Sequence, residues 1–210
     1  MIKLDLNKAM DVVSEDILKE TSPIRSANWS GGRENRTLQA YTSTITSLAK
    51  NAADLCGGAD GNMVEIGTDF GMGSFAMAYA LRWHTSRKVF TFDVRRETVI
   101  DSRARAKRLG ADNITFIHST SHDVGLYGKN FSFAYIDGLH TYEGCYPDLC
   151  NIGPLMHESG LILCHDLKPA NRPPVSQNGV RKAILDFIKE NPEWTAMRIW
   201  GFGLLGRALK

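Results

Sequence analysis

The stretch VEIGTDFGMGS, Val64–Ser74, decides the fold. Its first residues are apolar and end in a glycine, as a short buried strand does when it enters a turn. Its last residues open an apolar run, Ser74–Trp83, with helical character. Glycines between a strand and a helix let the backbone take positive φ and pass close to a ligand. Gly71-x-Gly73-x-x-Ala76 taken alone fits a dinucleotide fingerprint, which is a weak match. The register argues against it. In that fingerprint the first glycine directly follows the strand, and here Gly67 holds that place. Glu65 and Asp69 also flank the turn, and two carboxylates would repel a pyrophosphate but welcome a ligand bearing an ammonium and a sulfonium.

Outward from this turn the chain alternates. Strands are expected at Asn62–Gly67, Lys88–Val94, Asn113–Ser119, Phe131–Asp137 and Leu161–His165. Helices are expected at Ser74–Trp83, Glu97–Leu109, Glu143–His157 and Val180–Glu190, with Gly110 and Asn191-Pro192 as stops. Such alternation implies a doubly wound α/β fold around a mostly parallel sheet. Trp194–Trp200 and Leu204–Leu209 break the pattern, because the short link Gly201-Phe202-Gly203 can only make an antiparallel hairpin. The sheet therefore has seven strands. Upstream, Leu4–Leu18 has roughly helical apolar spacing, residues 21–36 read as a polar loop, and Thr37–Leu55 reads as a helix stopped by Gly57-Gly58. This gives an N-terminal helical and loop appendage over residues 1–60, covering the active site, and a ligand-binding domain over 61–210.

The 210 residues suffice for one domain with a full core and no staples. Twenty-five Lys and Arg stand against 23 Asp and Glu, so the balance does not suggest a nucleic-acid binder. The helix over Glu97–Leu109 is rich in arginine, but no aromatic residues interleave for base stacking, and a solvated face explains it. No apolar run approaches the roughly 18 residues of a membrane span, and the N-terminus lacks a signal-peptide core. The four cysteines have no zinc-like spacing and read as reduced thiols in a cytoplasmic protein. Homo-oligomerisation stays open.

VEIGTDFGMGS resembles the first motif of class I S-adenosylmethionine-dependent methyltransferases, an acidic residue followed by GxxxGxG. The family fold also ends in an antiparallel hairpin. The resemblance covers roughly Asn62 to the C-terminus. It implies that Glu65, Gly67, Thr68, Gly71, Gly73 and Ser74 hold the methionine part of the cofactor. Asp93, 26 residues after Gly67, with its neighbour Val94, ends the second strand where a carboxylate can accept both ribose hydroxyls. Ser119, Thr120 and Ser121 would line the adenine, although a local hydroxyl turn explains them almost as well.

Adjacent parallel strands would gather Asp137, His140, His165 and Asp166 at one sheet edge, a functional-site candidate on placement alone. IDGLHTYEGCYPDL, Ile136–Leu149, and GLILCHD, Gly160–Asp166, are similar to a methyltransferase subgroup with many small-molecule O-methyltransferases. Asp148 falls on that pattern's acidic helix position. The resemblance implies methyl transfer to a hydroxyl of a small metabolite (a sugar, a phenol or a natural product), with Asp137, His140 and Asp166 around the acceptor and Asp137 also touching the cofactor. In metal-dependent relatives Mg²⁺ would sit on Asp137 and Asp166, but Leu167 cannot supply the third ligand. His140 or His165 could complete a site for a softer divalent cation, and without a metal His140 would be the general base. Two other classes stay open. One is an NAD(P)-dependent oxidoreductase using the Gly71/Gly73 turn. The other is a non-catalytic relative that keeps only the cofactor pocket. Trp29 and the loop Pro169–Pro174 are further candidates to flank the site.

Overall fold

In the computed structural model, residues 31–57, 61–167 and 179–208 are described. The expected helix at Leu4–Leu18, Trp29 and the loop Pro169–Pro174 lie outside them. Helix α1 (Gly31–Leu55) precedes β1 (Met63–Ile66), α2 (Met72–Ala80), β2 (Val89–Asp93), α3 (Arg96–Leu109), β3 (Ile114–His118) and β4 (Phe131–Ile136). Then follow α4 (Tyr142–Ile152), β5 (Met156–Cys164), α5 (Gly179–Glu190), β6 (Trp194–Ile199) and β7 (Phe202–Arg207). Short 3₁₀ turns at Ser121–Leu126 and Gly153–Leu155 lead into β4 and β5.

The seven strands form one sheet in the order β3-β2-β1-β4-β5-β7-β6. The first five run parallel, and β7 is inserted antiparallel between β5 and β6. The doubly wound sheet and closing hairpin are as the sequence predicts. The order reverses at β1, between β2 and β4, which is the crevice where such sheets bind ligands.

Strand β1 is buried along its whole length, and its side chains alternate between two cores. Met63 joins the first core with Phe133, Tyr135, Leu163 and residues of α1, α2 and α3. Val64 and Ile66 join the second with Ala134, Ile136, Ile162 and residues of α4 and α5. Glu65 therefore points to the α2 side.

Four local expectations change. Helix α1 begins at Gly31, inside the stretch read as loop, and the described part of the expected appendage places Ile45, Ala49, Ala52 and Ala53 in the first core. Its small side chains let it lie close to α2. The helix expected over Glu143–His157 ends at Ile152, because Gly153-Pro154 follows and proline cannot donate to the next helical bond. Strand β5 consequently starts at Met156, not Leu161. Phe202 and Gly203 belong to β7, so the hairpin turn is only Trp200-Gly201. Gly203 lies against Ile184 of α5, where a side chain would collide with the isoleucine.

Phe133 is fully buried in central β4. Phe133→Ala should cost about 3–5 kcal/mol of unfolding free energy in a urea titration, and a loss below about 1 kcal/mol would contradict this core.

Candidate active site

The site is built where the parallel ladder outruns the strands. Past β1, the Gly67 N–H donates to the Phe92 carbonyl of β2 at 2.8 Å. Past β4, the Asp137 N–H donates to the Ile66 carbonyl of β1, also at 2.8 Å, and past β5 the His165 N–H donates to the Ile136 carbonyl at 2.9 Å. The residues following three central strands are thus pinned in a row.

Gly67 has φ +89°, and a side chain there would collide with the Asp137 carbonyl. Gly71 caps α2 with φ +87°. A Cβ at Gly73 would run into Glu65 and the Tyr135 ring. At all three glycines a side chain would point into the protein, so the turn is pressed onto its surroundings, with the Asp69 side chain exposed. That is the cradle a bulky cofactor needs over the switch point, so the residues present fit one.

Glu65 lies beneath this turn rather than lining the open edge. It is 1% exposed. Its Oε2 accepts the Thr91 hydroxyl at 2.6 Å and the Ser74 hydroxyl, and the Thr91 and Thr68 hydroxyls meet at 2.6 Å. Thr91 is the register partner of Glu65 in β2. Burial pushes the Glu65 carboxyl up to about 8, against the pull of the Ser74 and Thr91 hydroxyls. At neutral pH it is mostly uncharged. The turn's negative charge then comes from Asp69 and Asp93, and the argument against a pyrophosphate rests on those two.

Asp93 ends β2 and is nearly buried. Its Oδ2 accepts the Thr68 and Asp69 backbone N–H groups at 3.1 and 3.2 Å, and its Oδ1 accepts the Arg95 N–H at 2.8 Å. It braces the turn at the place where the sequence expects a ribose. Arg95 also reaches Asp69 at 3.1 Å. Val94 is exposed beside it. In the loop after β3, Ser119 donates to Asp123, Thr120 caps the 3₁₀ turn and Ser121 accepts from Asn151 at 2.9 Å. Ser119 and Thr120 have partners within the turn, as a local turn provides, whereas Ser121 is tied to Asn151 and Asp148 of α4. Asp148 stands against Gly138, and burial raises its carboxyl despite the Ser121 hydrogen bond.

Asp137 is the centre of the second half of the site. Tyr135 OH donates to its Oδ2 at 2.8 Å. His140 Nε2 lies 2.9 Å from its Oδ1, and His165 Nδ1 lies 2.8 Å from the same oxygen without the alignment of a hydrogen bond. Burial works to raise the Asp137 carboxyl, but the contacts with His140, His165 and Tyr135 prevail and hold it below the usual range. Asp166 reaches this group through His140, whose Nδ1 is 3.7 Å from its Oδ2. Asp166 adopts φ +58°, an uncommon conformation for a side-chain-bearing residue. The His165 ring is packed by Tyr41 of α1, Phe202 of β7, Tyr135 and His140, with ring centroids 5.2–6.4 Å from its own.

The structure thus joins Asp137, His140 and Asp166 as the sequence expects and adds Tyr135, Thr91 and Tyr41. Tyr135 was findable, since residues two apart on a strand share a face. Thr91 needed the β1–β2 register, and Tyr41 needed the packing of α1.

Residues 64–167 match the family described as "Methyltransferase domain". The match begins in β1 and ends just past β5, so it takes in the glycine turn and the Asp137 cluster. No protein of curated function matches the chain in sequence. Solved structures share the fold. A Corynebacterium glutamicum protein is 16% identical at a TM-score of 0.71, over 97% of this chain and 91% of its own. An O-methyltransferase from Bacillus cereus, solved with SAH (S-adenosylhomocysteine), is 15% identical at 0.65, over 95% and 88%. The O-methyltransferase TomG from Streptomyces achromogenes, involved in tomaymycin synthesis and solved with SAM (S-adenosylmethionine), is 15% identical at 0.65, over 100% and 92%. Among the described residues, no helix is long and apolar enough to cross a membrane.

The raised Glu65 carboxyl carries a pH signature. Its proton is held more tightly in the folded chain than in the unfolded one. Its stabilising contribution is complete below the unfolded value of about 4.5 and is lost as pH rises through about 8. Melting temperatures of wild type and Glu65→Gln, measured from about pH 5 to about pH 9, should diverge with rising pH, the wild type losing ground. A pH-independent difference would show that Glu65 does not hold its proton.

Proposed function

We propose that this methyltransferase domain transfers the methyl group of S-adenosylmethionine to a hydroxyl oxygen of a small-molecule acceptor. The observation that carries the reading is the row of strand ends. It sets the Gly67–Gly73 cradle directly beside Asp137 and its imidazole partners. The SAM- and SAH-bound O-methyltransferases of the same fold support it, as does a net charge of only +2, which offers little to a polyanion.

When bound, S-adenosylmethionine supplies an electrophilic methyl group on a sulfonium. Gly67, Gly71 and Gly73 keep the cradle free of side chains, and Asp93 stands at the end of β2 for the ribose. Ser119, Thr120 and Ser121 bound the space assigned to the adenine. At the β4 and β5 ends, the chain holds the acceptor's hydroxyl in line with the S–CH₃ bond, so that the new C–O bond forms as the old C–S bond breaks. The hydroxyl proton passes to the imidazole–carboxylate cluster, whose most exposed members are His140 and Asp166. Asp137, fixed by Tyr135, orients His140 for this. The buried Asp93 and the half-buried Asp137 leave negative charge around the cationic cofactor, which favours its binding over that of a pyrophosphate.

Turnover of methyl-labelled S-adenosylmethionine against phenols, sugars and hydroxylated natural products tests the reading. Label should appear on oxygen. Asp137→Asn and His140→Ala should each lower kcat about 10²–10⁴-fold while SAH still binds. Unchanged kcat in both variants, or label found on nucleic acid alone, would refute it.

A further inference from the structure

The ligand set that metal-dependent relatives imply does not fit this chain. Mg²⁺ requires oxygen donors in an octahedron. Here the third position is Leu167, a buried hydrocarbon. Asp166 Oδ2 lies 3.7 Å from Nδ1 of His140. What surrounds Oδ1 of Asp137 is nitrogen.

We infer that Asp137, His140 and His165 form a binding site for a first-row transition ion, such as Zn²⁺, Co²⁺ or Fe²⁺, in place of Mg²⁺. Oδ1 of Asp137, Nε2 of His140 and Nδ1 of His165 lie within 4.8 Å of one another. Both nitrogens stand 2.8–2.9 Å from the oxygen. Two donors each about 2.0–2.1 Å from an ion are about 2.9 Å apart at right angles and about 3.3–3.4 Å apart in a tetrahedron, and the spacing here matches the right-angled case. The spacing is therefore that of adjoining corners of one coordination shell. Imidazole and one carboxylate suit borderline ions and not Mg²⁺.

A second, independent observation points the same way. His165 Nδ1 is sealed from solvent and makes no hydrogen bond, although a carboxylate oxygen lies 2.8 Å away. Nδ1 and the carboxylate oxygen are thus in ion-pair contact without a hydrogen bond's alignment, as two donors to one ion are. The outer contacts are also those of a metal site. Tyr135 OH occupies Oδ2 of Asp137 and leaves Oδ1 for the ion. Asp166 stands by Nδ1 of His140, which favours the tautomer with the proton on Nδ1 and the lone pair on Nε2. Tyr41, Phe202 and Tyr135 hold the His165 ring edge-on or tilted and fix its direction.

The inference deepens the proposed function, since it rests on the same acceptor edge. A bound ion there would act as a Lewis acid toward an acceptor hydroxyl, held by Asp137, His140 and His165.

Cobalt(II) added to the full-length, chelator-treated protein is the test, read by its visible absorption and by calorimetry. The inference expects one saturable site of micromolar or tighter affinity that a large excess of Mg²⁺ does not displace. His165→Gln and His140→Gln should each weaken it at least about 100-fold, and Asp166→Asn about 10–100-fold, as an outer partner does. Circular dichroism melts of each variant show that it is folded. SAH affinity, measured on the same samples, tests the cofactor reading separately. Absence of a cobalt site in folded protein that binds SAH would overturn the inference. So would a site that Mg²⁺ displaces and that His165→Gln leaves intact.

Discussion

The backbone ladder does not stop where the strands do, and the site depends on that. The Gly67, Asp137 and His165 N–H groups each find a carbonyl on the neighbouring strand at 2.8–2.9 Å. Each bond carries the sheet one residue further and aligns three loops that would otherwise leave the strands independently. Buried N–H groups need such partners. A glycine is required in the first of the three, since any side chain at Gly67 would strike the Asp137 carbonyl. The close approach of two loops that makes the cradle also holds Asp137 at its rim.

Charge in this arrangement is sorted by depth. Glu65 and Asp137 both belong to the β1–β4 region, and burial acts on both to disfavour the ionised form. Glu65 has only hydroxyl partners and is pushed up to about 8. Asp137 has two imidazoles and a phenol, and their contacts outweigh burial. One carboxyl thus serves as a neutral strut under the turn, and the other keeps its charge where chemistry is proposed. Two acidic residues of neighbouring strands and strand ends take opposite states from their burial and their partners.

The alternation of strand and helix, the order-reversing β1 turn and the closing hairpin were all legible in the sequence, because period and glycine placement encode them directly. So was the convergence of Asp137, His140 and Asp166, which needs only that the β4 and β5 ends be neighbours. Depth was not legible. In the string of letters Glu65 and Asp93 look alike, and only the register with Thr91 and the fold of Ser74 beneath the turn separate the strut from the rim. The early end of α4 was marked by Gly153-Pro154 and outweighed by the apolar run around it. The role of Tyr41 in packing His165 comes from how α1 lies on the sheet, which no local pattern records.

The central claim is that the Gly67 turn and Asp93 hold S-adenosylmethionine next to the Asp137 cluster. Calorimetric titration with SAH tests it most directly. The account predicts one-to-one binding by the wild type, weakened at least about tenfold, or about 1.4 kcal/mol, in both Gly67→Ala and Asp93→Asn, with Asp166→Asn close to wild type. Binding of NADH with no binding of SAH, or SAH binding undiminished in folded Gly67→Ala and Asp93→Asn, would contradict it.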